Sequence, residues 1–203
     1  MSLASRADQP VMTVGVVADT HVPDRVDSLH PDLLDRLSES RVDLILHAGD
    51  ICSTGVLEAL GKIAPWAAVS GNRDVVFYRS LPLVQKLELA GVEFALMHGH
   101  GGFWSYWRTK MRYLIQGYRL SWILPVLKAA SGNAKVVIFG HSHFAENFWL
   151  DGKLFFNPGS ACLNEKTGLS SFGLLRIFED GEVKAEIVPL CGMVIRGRRW
   201  EPV

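Results

Sequence analysis

The chain has 203 residues, 48% of them hydrophobic and 21% charged, which suits one globular domain with a sizeable buried core. Its 21 Lys and Arg residues balance 21 Asp and Glu residues, so we find no strong nucleic-acid signal, although a local basic patch is compatible with that balance. No apolar run reaches the length of a membrane span, and no signal-peptide pattern is present. Three widely spaced cysteines are typical of reduced thiols, so we expect a soluble, cytoplasmic protein.

Short apolar runs alternate with loops and helix-like segments through the first two thirds of the chain, which predicts an α/β fold. Residues 11–18, 42–47, 66–69, 93–97 and 135–139 are the predicted strands. A helix is predicted after Pro31, and another over residues 54–62 with Ser53 or Thr54 as its cap.

The last third of the chain has a different pattern. Apolar runs flank Asp151-Gly152 and Asp180-Gly181, which predicts two antiparallel hairpins. With no linker or repeat between the two patterns, we interpret residues 1–203 as a single domain.

Each of the five predicted strands is followed by residues that can bind a metal ion. These residues are Asp19, His21, Asp50, Asn72, His98, His141 and His143. In α/β sheets, ligands gather beyond the carboxyl ends of the strands, so the seven donors can meet at one place.

The spacing within two of these motifs favours shared binding. Asp19 and His21 are two residues apart, as are His141 and His143, so in extended chain each pair points the same way. Each pair could bind one ion or straddle two. Glycine precedes three of the donors, at positions 49, 71 and 140, and would permit sharp turns there.

Imidazole and carboxylate donors without a thiolate suit Mn, Fe, Zn or Ni. Two divalent ions carry four positive charges, whereas Asp19 and Asp50 supply only two negative ones. The surplus positive charge would attract a hydroxide and a phosphate oxygen, as in two-metal hydrolytic sites.

Each motif alone also has a structural explanation. Gly49-Asp50 can be a turn, Asn72 can be a left-handed turn residue, and His98 or His100 can be a packed or surface histidine. Five such motifs in order, each closing an apolar run, favour the metal site over these explanations.

These residues, in this order, resemble the calcineurin-like metallophosphoesterases. The family pattern appears as Asp19-Thr20-His21, Gly49-Asp50, Gly71-Asn72-Arg73-Asp74, His98 and Gly140-His141-Ser142-His143. The small bacterial and archaeal phosphodiesterases of this family are the most similar group, and they share the loop Asn157-Pro158-Gly159-Ser160.

The resemblance implies a four-layer α/β/β/α fold, in which a two-sheet β-sandwich is flanked by helices. It also implies a dinuclear site for two divalent metal ions, with Mn²⁺ preferred over Zn²⁺, Fe²⁺ or Ni²⁺. Asp19, His21 and His143 would hold the first ion; Asn72, His98 and His141 would hold the second; and Asp50 would bridge them. A metal-bridging hydroxide would attack a small phosphoester, with nucleotides among the candidates, and His100 would lie in the surrounding shell.

Position 73 departs from the family pattern. Many members have a histidine after Gly-Asn, whereas this chain has Arg73. An arginine cannot donate its proton at neutral pH, but it can clamp a phosphate oxygen. We therefore assign Asn72, Arg73 and His100 to catalysis, and leave open that Arg73 is a solvated loop residue.

An extended aromatic and basic segment lies at about residues 103–130. We expect a helical hairpin that packs its aromatic residues on the sheet. A substrate-covering cap, a stacking surface for nucleotides and a contact with a membrane surface remain open.

Two alternative functions remain. The retromer scaffold subunit shares this fold and binds partners through its surface, so a non-catalytic interaction protein is one alternative. A nuclease or cyclic-nucleotide phosphodiesterase is the other. The sequence does not indicate an oligomeric state.

Overall fold

Two five-stranded β-sheets pack face to face in the computed structural model, which describes residues 9–74, 80–101, 119–163 and 169–203. The strands of the described residues are β1 (Met12–Val17), β2 (Leu44–His47), β3 (Trp66–Ala68), β4 (Val84–Leu89), β5 (Val92–Met97), β6 (Val136–Ile138), β7 (Ala145–Leu150), β8 (Lys153–Pro158), β9 (Ser170–Ile177), β10 (Val183–Leu190), β11 (Met193–Arg196) and β12 (Arg199–Pro202). The helices are α1 (Leu33–Glu39), α2 (Thr54–Gly61) and α3 (Leu120–Ser131).

Both sheets are mixed. The first has the order β10-β9-β1-β2-β3 and the second β4-β5-β6-β8-β7. Strands β1, β2 and β3 run parallel, as do β5, β6 and β8, while β4, β7, β9 and β10 pair antiparallel with their neighbours. The carboxyl ends of β1 and β2 therefore lie at one edge of the first sheet, and those of β5 and β6 lie together in the second.

Three apolar layers hold the elements together. Val14, Val16 and Leu46 of the first sheet pack against Phe94 and Phe156 of the second. A second cluster fills the space between the first sheet and helices α1 and α2. A third lies between the second sheet and α3. The result is the expected helix–sheet–sheet–helix order, which confirms the fold class.

All five predicted strands form, each within two residues of its expected bounds. The cap of α2 is Ser53, whose side chain accepts a hydrogen bond from the Gly55 amide. Both predicted hairpins form, and Asp151-Gly152 is a two-residue turn with positive φ at both positions. The hairpin of β11 and β12 was missed, because its strands are only four residues long and carry no clear alternation of apolar and polar residues.

The structure describes only the last part of the aromatic and basic segment. Of residues 103–130, those from 119 onward are described, and α3 confirms helix there. Residues 103–118 lie outside the described residues, so the hairpin stays a prediction. Among the described helices, none has the length and apolar character needed to cross a membrane.

The contact between Gly173 and Phe156 tests the packing of the two sheets. A Cβ at position 173 would lie 2.4 Å from the Phe156 ring, so Gly173→Ala should lower the free energy of unfolding by about 1–3 kcal/mol through overpacking. Gly55→Ala is the control, because its Cβ would meet only the Ser53 hydroxyl, at 3.5 Å. Denaturant unfolding measures both, and equal effects would contradict this packing.

Candidate metal centre

Seven polar side chains converge where the loops after β1, β2, β3, β5 and β6 meet. They are the seven donors named from the sequence: Asp19, His21, Asp50, Asn72, His98, His141 and His143. Asp19 and His98 are fully buried, and His21 and Asp50 are nearly so. The cluster is therefore an internal feature of the sandwich that is open on one side through half-buried Asn72, His141 and His143.

Asp19, His21 and His143 form one group of this cluster. The Nε2 atoms of the two histidines are 3.1 Å apart. Asp19 Oδ1 lies 3.4 Å from His143 Nε2 and 3.9 Å from His21 Nε2. The three atoms are close enough to bind one ion together.

Asn72, His98 and His141 form a second group. Asn72 Oδ1 lies 2.9 Å from His141 Nδ1 and 3.2 Å from His98 Nε2. One amide oxygen therefore faces two imidazole nitrogens. The pair His141 and His143 consequently straddles the two groups, whereas Asp19 and His21 share one.

The carboxylate of Asp50 lies between the groups. Its Oδ1 is 3.5 Å from His98 Nε2, and its Oδ2 is 3.7 Å from His21 Nε2. One oxygen thus faces each group, an arrangement that is compatible with a carboxylate shared by two ions.

The chemistry of the cluster fits a bound cation. Asp19 Oδ1 is buried and accepts no hydrogen bond from the described residues, which is costly for a carboxylate oxygen. Imidazole nitrogens of three histidines lie 3.4–4.0 Å away, on His21, His98 and His143. A divalent ion among these atoms would satisfy the oxygen and the nitrogen lone pairs together.

The histidines of the cluster differ in pKa because burial and nearby carboxylates act on them to different extents. Burial alone would lower the pKa of His98, but the carboxylates of Asp50 and Asp19 raise it to about 9. Burial dominates at His21 and His141, where it lowers the pKa to about 4 and about 3. Burial works against ionisation of Asp50, yet His98 and His21 hold its pKa well below the usual range. In the metal-free protein, a proton on His98 therefore supplies positive charge that a bound metal ion would otherwise provide.

Several donors occupy the left-handed backbone region, which L-residues rarely adopt. Asp19 has φ of 53° and His21 of 51°, while His141 and His143 have 69° and 59°. The expectation that these pairs sit in extended chain is therefore wrong. Strain of this kind costs about 1–3 kcal/mol per residue and clusters at functional sites.

The three glycines before donors have two different roles. Gly49 has φ of +93°, so it makes the sharp turn that was predicted. Gly71 and Gly140 serve close approach instead. A Cβ at Gly71 would lie 2.2 Å from Asp50 Oδ1, and one at Gly140 would lie 2.9 Å from Asp19 Oδ2. Neither of these two glycines has a positive φ, so close approach, and not a left-handed backbone, accounts for the glycine there.

Asp74 joins two of the loops, and its role was not predicted. Its fully buried carboxylate accepts hydrogen bonds from the amides of Ile51 and Cys52, both at 2.9 Å, and of Gly71 at 2.8 Å. The loop after β2 is thereby fixed to the loop after β3. Asp74 is part of the motif Gly71-Asn72-Arg73-Asp74. From the sequence alone, an aspartate that accepts buried hydrogen bonds cannot be told from one in an exposed turn.

The loop of residues 157–160 is hydrogen-bonded to two of the loops that carry the donors. Ser160 Oγ donates to the Asp19 carbonyl at 2.8 Å, and Asn157 Nδ2 donates to the Gly140 carbonyl at 2.9 Å. The first bond joins the loop after β1 to the second sheet, and the second holds the loop after β6 against β8.

Backbone carbonyls orient two of the histidines. His98 Nδ1 donates to the Ala48 carbonyl at 2.7 Å, and His143 Nδ1 donates to the Leu163 carbonyl at 3.1 Å. Each bond leaves Nε2 facing the cluster. Metal-binding histidines are typically oriented in this way.

Arg73 and His100 lie at the edge of the cluster. The Arg73 amide donates to Asp50 Oδ1 at 2.7 Å, while its half-exposed guanidinium lies 3.5 Å from Asp24 Oδ2. The His100 ring is centred 5.3 Å from that of His98. Burial and the charge of His98 lower the pKa of His100 to about 4.

Comparison with known proteins supports one family. A family model described as the calcineurin-like phosphoesterase superfamily domain matches residues 12–180. A probable metallophosphoesterase of Methanothermobacter thermautotrophicus is 34% identical over 89% of this chain and 96% of its own.

Solved structures share the fold. Zinc-bound Vps29 of Entamoeba histolytica has a TM-score of 0.65 and 26% identity, covering 88% of this chain and 99% of that one. An archaeal phosphodiesterase has a TM-score of 0.58 over 87% of this chain and 100% of that one, at 22% identity.

The bonds of Asp74 lead to a stability prediction. Asp74→Ala leaves three buried amides without an acceptor, so the free energy of unfolding should fall by about 3 kcal/mol or more. Asp43→Ala removes an exposed carboxylate that accepts from the Thr13 amide, and it should cost no more than about 1 kcal/mol. Denaturant unfolding of metal-free protein compares the two. A loss at Asp74 no greater than at Asp43 would show that the loops do not depend on this carboxylate.

Proposed function

The chain belongs to the calcineurin-like phosphoesterase superfamily, and from this premise we propose that it is a metal-dependent phosphodiesterase with a dinuclear site. The observation that carries the proposal is the position of Asp50, which presents one carboxylate oxygen to each group of donors. A site for a single ion would not need this arrangement.

In the proposed site, Asp19, His21 and His143 hold the first ion, and Asn72, His98 and His141 the second. Asp50 bridges the two. The distances within each group, 2.9–3.9 Å, support this assignment. Zinc-bound Vps29, a protein of the same fold, offers a precedent for divalent metal binding.

The donor set contains imidazole, carboxylate and amide groups and no thiolate, which agrees with Mn²⁺ and also with Zn²⁺, Fe²⁺ or Ni²⁺. Bound divalent ions would lower the pKa of water and neutralise charge on phosphate oxygens. The protein contributes the orientation of its donors through the Ala48, Leu163 and Asp74 bonds.

Arg73 and His100 would act on the substrate. The Arg73 guanidinium is half exposed beside the first group, where it can bind a non-bridging phosphate oxygen. The pKa of His100 lies near 4, so at neutral pH the ring is uncharged and can donate a hydrogen bond but no full charge. An uncharged His100 cannot donate a proton as an imidazolium, which favours phosphodiesters with good leaving groups.

A second candidate is a non-catalytic interaction protein, favoured by the likeness to Vps29. Under that reading the metal cluster would be structural. The complete set of seven donors and the half-open face of the cluster favour catalysis instead.

Hydrolysis assays with metal-stripped protein test the activity. With Mn²⁺ added back, bis-p-nitrophenyl phosphate should be hydrolysed faster than p-nitrophenyl phosphate. Asp50→Ala should lower kcat/KM by about a thousandfold, because both ions lose their shared ligand. Asp43→Ala is the control, since Asp43 lies outside the cluster and should leave turnover unchanged.

The two substrates and the metal content separate the outcomes. Turnover that favours the monoester would contradict the diesterase. Two bound ions without turnover of either substrate would favour the interaction protein.

The charge of His98 predicts a pH dependence of metal binding. Because its pKa is raised to about 9 in the metal-free site, the imidazolium must lose a proton before it can bind an ion. The apparent affinity for Mn²⁺ should therefore rise with pH up to about 9 and level off above it. Calorimetry in buffers of different ionisation enthalpy counts the released proton. Affinity that is constant between about pH 7 and pH 9 would contradict the charged state of His98.

A further inference from the structure

A third set of metal-binding atoms lies around His21 Nδ1, the ring nitrogen opposite the Nε2 atom that faces the seven-donor cluster. His21 Nδ1 is 4.0 Å from the buried Cys52 Sγ and 3.7 Å from Asp24 Oδ2. All three atoms lie within 4.8 Å of one another. Neither Cys52 nor Asp24 belongs to the site proposed above.

We propose that Cys52, His21 and Asp24 form a separate site for a soft divalent cation such as Zn²⁺ or Cd²⁺. A thiolate, an imidazole and a carboxylate are the donors zinc uses in proteins, whereas Mn²⁺ prefers sites without sulfur. The thiolate therefore distinguishes this site from the seven-donor cluster.

The dimensions fit such an ion after a small adjustment. Zinc bonds of about 2.3 Å to sulfur and about 2.0–2.1 Å to nitrogen place neighbouring tetrahedral donors roughly 3.4–3.6 Å apart. The observed separations of 4.0 Å and 3.7 Å exceed this by a few tenths of an ångström. Asp24 is partly exposed and can move toward the ion, whereas His21 and Cys52 would have to approach each other by a few tenths of an ångström. The exposure of Asp24 also gives the ion a path from solvent.

Local charge also favours a cation. The carboxylates of Asp74, Asp50 and Asp24 lie close enough to Cys52 to place negative charge around its thiol. The negative charge that disfavours a free thiolate attracts a divalent ion. The guanidinium of Arg73 lies 3.5 Å from Asp24 Oδ2, so Arg73 competes with the ion for Asp24.

His21 links the new site to the seven-donor cluster. A neutral imidazole has one lone pair and one proton, so His21 binds an ion through Nε2 in the cluster or through Nδ1 beside Cys52. Binding at the new site releases the thiol proton to solvent and moves the ring proton to Nε2. A soft ion there would therefore remove His21 from the first group.

Cadmium titration of metal-stripped protein tests the site directly, without reference to hydrolysis. The Cys191→Ser variant serves as the starting protein, because Cys191 is the exposed thiol. Adding Cd²⁺ should produce the ultraviolet charge-transfer band of a cadmium–thiolate bond. A further Cys52→Ser change should abolish the band, and a Cys162→Ser change, at the other buried thiol, should leave it intact.

Two more variants report on the neighbours of Cys52. Asp24→Asn, at a partly exposed position, should weaken Cd²⁺ binding by about tenfold or more. Arg73→Met should strengthen it, because the competing cation is gone. Melting temperatures confirm that each variant folds.

Persistence of the band in Cys52→Ser, or its loss in Cys162→Ser, would overturn the proposal. So would unchanged affinity in Asp24→Asn. Because the readout is a metal–sulfur band, failed hydrolysis in the earlier assay leaves this test unaffected.

Discussion

The burial of two carboxylates beside a set of imidazoles is the constraint on which the rest of the structure depends. Asp19 and Asp50 lie deep in the sandwich, where an ionised group is costly unless it is compensated. In the protein alone, a proton on His98 supplies part of the compensation, and Asp19 Oδ1 remains without a hydrogen-bond donor among the described residues. Divalent cations bound by these donors would supply the remainder of it.

The loops around the cluster hold several donor residues in a backbone conformation that L-residues rarely adopt. Asp19, His21 and Asp50 all have positive φ, a conformation that the surrounding structure must stabilise. The Asp74 carboxylate and the Ser160 hydroxyl do so through buried hydrogen bonds to the loops that carry the donors. The donor residues and the hydrogen bonds that hold their loops thus form one structural unit. The packing of the two sheets against each other stabilises this unit.

Much of this unit could be predicted from the sequence, and the remainder could not for identifiable reasons. Apolar runs that end in Asp19, Asp50 and His98 predicted both the strands and the convergence of donors, because parallel strands present their carboxyl ends together. Backbone conformation was misjudged, since residue spacing does not distinguish an extended pair from two left-handed residues. The function of Asp74 and the close approach at Gly71 depend on contacts between distant loops, which no local pattern reports.

Anomalous scattering from crystals grown with Mn²⁺ tests the central claim most directly. The account predicts two anomalous peaks, one contacted by Asp19, His21 and His143 and one by Asn72, His98 and His141. The Asp50 carboxylate should lie between the peaks, with one oxygen on each. A single peak, or two peaks of which neither contacts Asp50, would contradict the dinuclear site.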